Sequence, residues 1–365
     1  MRIAVVIPCY RVTQYVMEVI EKIGNEVDTI YCIDDRCPEN SGQFIEANSK
    51  DSRVKVIYHS QNQGVGGAVI TGYKAAIENN ADIVIKIDGD GQMDPALIPK
   101  MIRPIVKQQA DYTKGNRFYL ADYLKDMPAL RKTGNALLSF MNKFSTGYWD
   151  IFDPTNGYTA ISSPIIKELP LNKISKRYFF ESDMLFHLSI LKAVVKDIPI
   201  KSTYNGEISS LKINKIINEF LFRHFFNFIK RIIYNYYIRN FTLGSIELLL
   251  AIICIMSGSI AGSIHWITSI QTGIIASSGS VMLSALPIVI GFQLLIAFFG
   301  EDISLVPKTP ISTFLVNDKL VIRFRNTEPK EISVSDSLKN NIFKQKRIIP
   351  PHYIQTKSFK KHFNS

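Results

Sequence analysis

Cysteine is scarce in this chain, and charge is missing from one long stretch of it. Four cysteines occur in 365 residues: Cys9, Cys32, Cys37 and Cys254. They are not spaced like a zinc site and lack histidines at ligand spacing. This excludes a zinc-finger or disulfide-framework protein and predicts reduced thiols. The opening apolar run, Ile3-Ala4-Val5-Val6-Ile7, is too short for a signal peptide. It predicts a first β-strand and a soluble half in the cytoplasm. No Asp, Glu, Lys or Arg lies between Glu247 and Glu301, where His265 is the titratable side chain of note. That gap excludes one uniform soluble fold and predicts membrane segments joined to a charged domain. A G-x-G-x-x-G motif running out of a strand is also lacking, which speaks against a dinucleotide-dependent dehydrogenase.

What is present is basic, with a net charge of +11. Lys212, Lys215, Arg223, Lys230, Arg231 and Arg239 alternate with apolar residues at helical spacing, from Ile213 to Ile232. The cations therefore concentrate beside the apolar stretch. This placement predicts helices lying in a membrane interface and no nucleic-acid partner. The runs at about 248–267 and 274–299 are each long enough to cross a bilayer, which takes about 20 apolar residues. A turn near Thr268–Thr272 would separate them. Ser257, Gly258, Ser259, Ala261 and Gly262 suit close helix packing in lipid and leave room for a homo-oligomer through these helices. Basic residues on both outer flanks predict an inside–inside hairpin.

Before residue 113, strand and helix signals alternate. Strands are predicted at Ile3–Ile7, Thr29–Ile33, Val54–Tyr58 and Ile83–Ile87. Helices are predicted at Tyr15–Ile23, at Gly66–Glu78 and after Pro95. This order predicts an α/β class with a doubly wound, mostly parallel sheet, which binds ligands at the carboxyl ends of its strands. Pro8-Cys9-Tyr10, Asp34-Asp35 and Asp88-Gly89-Asp90 each follow a strand directly. From about 114 to 205 the pattern is less regular and reads as the acceptor half of the same domain.

The strongest chemical signal is Asp88-Gly89-Asp90-Gly91-Gln92-Met93-Asp94-Pro95. Two carboxylates one small residue apart, between a buried strand and a Pro-started helix, can serve a nucleotide and a hard divalent cation. Such a cation neutralises charge on a departing pyrophosphate. A carboxylate of Asp34-Asp35 can accept from a base N–H or a ribose hydroxyl, or can cap a helix. The glycines of Asn62-Gln63-Gly64-Val65-Gly66-Gly67-Ala68 permit close backbone approach to a ligand.

Together, Val5 to Tyr10, Asp34-Asp35, Asn62 to Ala68 and Asp88 to Gln92 resemble the glycosyltransferase family 2 pattern on a GT-A fold. More narrowly, the chain is similar to the polyprenyl-phosphate, dolichol-phosphate-mannose-synthase-like branch with a C-terminal two-helix anchor. The pieces that carry this closer match are Gly115-Asn116-Arg117-Phe118, Asp153 to Tyr158, Tyr204 to Glu207 with Ser209 to Lys212, and Leu286 to Gln293. Two departures stand out. Arg36-Cys37 follows the Asp pair where the family commonly has Gly-Ser, and a tail of about sixty residues follows the anchor.

The resemblance implies Pro8, Tyr10, Asp35, Gly66 and Asp88 around the nucleotide-sugar. It implies Asp90 and Gln92 as ligands to Mg²⁺ or Mn²⁺, and Arg117 and Arg131 near the phosphates, with Lys132 beside them. Glu181 and Asp183 are the candidates for a general base. The expected organisation is a catalytic domain over 1–211, interfacial helices over 212–240, a transmembrane hairpin over 241–300 and a cytoplasmic tail over 301–365. The expected activity is inverting transfer of a hexose from a UDP- or GDP-sugar to a polyprenyl phosphate at the cytoplasmic membrane face. The other reading is extension of a hydroxyl on a lipid-linked saccharide.

Overall fold

The computed structural model describes residues 1–124, 127, 129–201 and 213–315. The expected pieces at Tyr204–Glu207 and Ser209–Lys212, and the tail beyond Leu315, lie outside the described residues.

Seven strands form one sheet: β1 (Ile3–Cys9), β2 (Thr29–Asp34), β3 (Val54–Tyr58), β4 (Ile83–Lys86), β5 (Tyr112–Asn116), β6 (Thr159–Ser162) and β7 (Val195–Pro199). The helices are α1 (Val16–Glu21), α2 (Ser41–Asn48), α3 (Val65–Glu78), α4 (Ile98–Val106), α5 (Ala129–Thr146), α6 (Ser163–Glu168), α7 (Phe180–Leu191), α8 (Ile213–Ile232), α9 (Leu243–Thr272) and α10 (Ser278–Ser304). The spatial order is β3-β2-β1-β4-β6-β5-β7, with β6 antiparallel to both neighbours and the other pairings parallel. This is the doubly wound, mostly parallel sheet expected.

Strand β1 shows why. Its residues alternate between faces with a period of two. Ala4 and Val6 join one core, with Tyr73, Ile161 and Leu188. Ile3, Val5, Ile7 and Cys9 join the other, with Val16, Ile45 and Met101. A strand covered by helices on both sides needs an unbroken apolar run, and that is what the sequence carries. Because β2, β1 and β4 are adjacent and parallel, Asp34-Asp35, Tyr10 and Asp88 leave the sheet at the same edge.

Helix α8 buries Phe220, His224, Asn227 and Arg231 and leaves Leu221, Phe222, Phe225, Phe226 and Ile229 exposed. It then widens into a π-helical turn over Ile233–Arg239. Helices α9 and α10 are long and apolar enough to cross a membrane, and only 22% and 11% of their most apolar windows are buried. A core helix of a soluble protein would be largely covered. The turn between them falls at 273–277, after Gly273 at φ 69°, later than the predicted position. A Cβ at Gly258 would lie 2.6 Å from the Ser284 carbonyl, and one at Gly291 would lie 2.6 Å from Ile255. These two glycines thus serve contact within the hairpin.

The hairpin joins the sheet-bearing half through Asp302. Its carboxylate accepts from Arg231 Nη1 at 2.6 Å, Tyr236 Oη at 2.8 Å and Trp149 Nε1 at 2.8 Å. Beyond α10, Asp111 accepts from the backbone N–H of Ile311 and Ser312, tying the chain to the amino end of β5.

Candidate active site

Strand β4 ends on a lysine that the motif reading did not single out. Lys86 is 1% exposed, with its ammonium 2.9 Å from Asp88 Oδ1 and 3.1 Å from Glu181 Oε1. Burial lowers a lysine's pKa, but the two carboxylates outweigh it and hold Lys86 above its ordinary range. Burial pushes the Glu181 carboxyl up, against the pull of Lys86. Gly157 closes over the pair, and a Cβ there would lie 2.6 Å from Asp88 Oδ2. The available signal was one cation in the apolar strand Ile83-Val84-Ile85-Lys86-Ile87, because a charge buried on both faces of a sheet must be paired.

The loop after β4 folds on itself. Gln92 N donates to Asp90 Oδ1 at 3.0 Å, and Asp94 caps the following turn by accepting from Ala96 N. Asp90 and Gln92 therefore share one short loop beside Asp88. Among the described residues no three His, Cys, Asp or Glu gather as a ready-made metal cage. The hard oxygen donors here fit Mg²⁺ or Mn²⁺ held by one or two carboxylates and completed by substrate phosphates.

The paired aspartates close loops of the chain itself. Asp34 accepts from Cys37 N and Gly42 N at the start of α2. Asp35 accepts from Gln63 N, Gly64 N and His59 Nδ1, at 2.7 to 2.8 Å, and so satisfies donors at the start of α3. The close approach that Gly66 permits is taken by Phe180, 2.5 Å from where its Cβ would stand, and by the Ser175 carbonyl. Pro8 sits within β1, partly accessible, and Tyr10 is exposed with the Arg11 guanidinium over its ring.

Arg117, expected near phosphates, is gripped by Asp153. Nε and Nη2 donate to its two carboxylate oxygens at 2.8 and 2.6 Å, and the Arg117 backbone N–H adds a third bond. Burial pushes Asp153 up, but Arg117 outweighs it and holds the carboxyl below its ordinary range. The Phe118 and Phe152 rings meet at 5.1 Å, so 115–118 and 153–158 knit into one unit. Asp183 accepts from Ser175 N and Oγ and from Asn227 Nδ2 of α8. Lys132 lies on α5, as does Arg131, whose side chain is outside the described residues.

Residues 4–169 match the family model described as glycosyl transferase family 2. The chain is 33% identical over 216 residues to the UDP-N-acetylglucosamine–dolichyl-phosphate N-acetylglucosaminyltransferase of Methanococcus voltae, covering 55% of this chain and 86% of that one.

The chain belongs to glycosyltransferase family 2.

A second family relative, the undecaprenyl-phosphate mannosyltransferase of Micrococcus luteus, is 26% identical over 204 residues, 55% of this chain and 83% of that one. Among solved structures, glucosyl-3-phosphoglycerate synthase from Mycobacterium tuberculosis, in complex with Mn²⁺ and UDP, is similar at a TM-score of 0.47 and 15% identity. It covers 63% of this chain and 79% of that one, a likeness too distant to bear on chemistry. In this glycosyltransferase residues 1–116 and 153–199 share the single, mostly parallel sheet.

Proposed function

We propose that this glycosyltransferase moves a sugar from a UDP- or GDP-linked donor to a polyprenyl phosphate at the cytoplasmic face of a membrane. The observation that carries the reading is the seat of α8. This basic, aromatic helix leaves one apolar face unpartnered, while its other face bonds the catalytic half directly. Asn227 reaches Asp183, and Arg223 Nη1 reaches Ser175 Oγ. A helix suited to the lipid interface thus stands a few residues from Glu181, which pairs with Lys86, the partner of Asp88. Both relatives are named for transfer to a polyprenyl phosphate, which supports the same acceptor.

The engagement of Glu181 and Asp183 supports a phosphate acceptor too. A phosphate monoester has a second pKa of about 6 and is mostly a dianion at neutral pH, so it needs no strong base. A sugar hydroxyl would need one, yet Glu181 is tied to Lys86, and Asp183 to Ser175 and Asn227. In this reading Asp88 orients the donor, held in place by Lys86. Asp90 and Gln92 would hold Mg²⁺ or Mn²⁺, which supplies neutralisation of charge on the departing diphosphate. Lipid phosphate attacks the anomeric carbon from the face opposite the nucleotide, giving inversion and a β-linked product from an α-linked donor.

The test is to give the purified protein labelled UDP- and GDP-sugars with undecaprenyl or dolichyl phosphate. Formation of a lipid monophosphate sugar is expected. Extension of a hydroxyl-bearing lipid-linked saccharide, with no monophosphate sugar from any common donor, would overturn the reading.

A further inference from the structure

A cavity lies away from the site just described. It encloses about 340 Å³ and is lined by Lys192, Asn235, Tyr236, Asn240, Thr242 and Lys308, among others. Lys192 caps α7 and comes just before β7. Strand β4 pairs antiparallel with β6, β6 antiparallel with β5, and β5 parallel with β7, so β4 and β7 point the same way. Residues that lead into β7 therefore stand at the amino edge of the sheet, opposite the carboxyl edge that bears Asp88. Thr242 is the first cap of α9, and Leu305 follows the last turn of α10. The cavity thus sits where both membrane-length helices begin to leave the soluble half, at the level headgroups would occupy.

Two lysines line it, and neither forms an ion pair among the described residues. Lys192 is held in the left-handed region at φ 61°, which a lysine adopts only at some cost. Burial lowers its pKa, and Arg239 and Arg231 lower it further. The carboxylate nearby, Asp302, is already claimed by Arg231, Tyr236 and Trp149. Lys308 adds an exposed cation at the rim. Asn235 is 8% exposed, and its Oδ1 has no hydrogen-bond partner among the described residues. A buried amide left with an unmet atom is costly, and Asn can turn either its oxygen or its NH₂ toward a ligand. It stands on the π-helical turn, a geometry found disproportionately at functional sites.

We propose that this cavity binds a phosphate-bearing anionic headgroup, separately from the sugar-transfer site. Lys192 and Lys308 supply the charge, and Asn235 and Asn240 the hydrogen bonds. The proposal does not depend on which acceptor the transferase uses.

The experiment uses the full chain purified in neutral detergent, with phosphatidylglycerol or phosphatidylcholine added and retained lipid counted by native mass spectrometry. Phosphatidylglycerol should bind at least about tenfold more tightly than phosphatidylcholine, from the attraction of two lysines near a lipid surface. Lys192→Gln with Lys308→Gln should erase that preference, and Asn235→Asp should weaken it by placing a negative charge in the wall. Lys308→Gln alone, on an exposed side chain, should weaken it without disturbing the fold, as an unchanged melting midpoint would show. Competition by millimolar inorganic phosphate would support the phosphate chemistry with a soluble source. Failure to compete, with the preference intact, would support a lipid. Equal retention of the two lipids by the wild type overturns the proposal, as does unchanged preference in every variant.

Discussion

Replacing Lys86 with methionine removes one cation and leaves two carboxylates facing each other. Methionine approximates the lysine stem, so packing in β4 is largely kept. Asp88 is 29% exposed and Glu181 13%, so neither is well solvated. Removing one partner of a buried ion pair costs about 3–5 kcal/mol. For a soluble half of this size each kcal/mol is about 2–4 °C in Tm, so a fall of roughly 10 °C is expected at pH 8. The effect should shrink on acidification. The Glu181 carboxyl is raised in the folded protein by burial, despite Lys86. A raised carboxyl contributes stability that is fully present below the ordinary glutamate range and is lost as pH rises through the folded value. Without Lys86 that value rises further, so the deficit of Lys86→Met should be small near pH 5 and full at pH 8. Adding Glu181→Gln should restore much of the loss, giving a coupling energy of about 1–3 kcal/mol in a double-mutant cycle. The assay is differential scanning fluorimetry of the four proteins at both pH values, with transfer rates alongside. Because Asp88 loses its tether, transfer should fall about a hundredfold while the fold persists at pH 5. Additive effects of the two substitutions, or a deficit independent of pH, would refute the ion-triad account.

Three further outcomes are expected. Asp90→Asn should cut transfer by on the order of a hundredfold or more with Tm unchanged; a chelator should mimic it, and full activity in chelator would sink the metal assignment. Arg36→Gly should raise stability by up to about 1 kcal/mol, because Arg36 sits at φ 56° where an L side chain is strained; a lower melting midpoint would contradict this. In a Cys254→Ala background, a cysteine at Gln271 should react with an impermeant thiol reagent from outside, and labelling only after the membrane is breached would reverse the topology.

The left-handed backbone at Arg36 gives a departure from the family pattern a physical cost. The family commonly has glycine at that position, where positive φ is easy. The following cysteine ties the loop to the end of β1 and to α2, since Cys37 Sγ accepts from Arg11 N and meets Ser41 Oγ at 3.1 Å. The sequence showed the departure, and the backbone angle showed its cost.

What the residues determine alone is whatever depends on local pattern. Largely apolar runs specified β1, β2 and β4, broken in β4 only by Lys86, because a strand covered on both faces tolerates few polar side chains. Two uncharged runs of membrane length specified α9 and α10, because backbone groups in lipid must be satisfied within the helix. The Asp88 to Gln92 motif was legible because strand end, small residue and carboxylates are contiguous. The short strands β5 to β7 were not legible. They are buried in a mixed sheet but carry Lys114, Asn116 and Asp197, whose charges and amide pair across strands and so break the apolar signature. The tertiary structure alone decided the partners: Lys86 with Glu181, Arg117 with Asp153, Asp35 with the start of α3, and Asp302 with α8. Each joins residues far apart in the chain, and each is set by which helix crosses which strand end, a distance that no local pattern encodes.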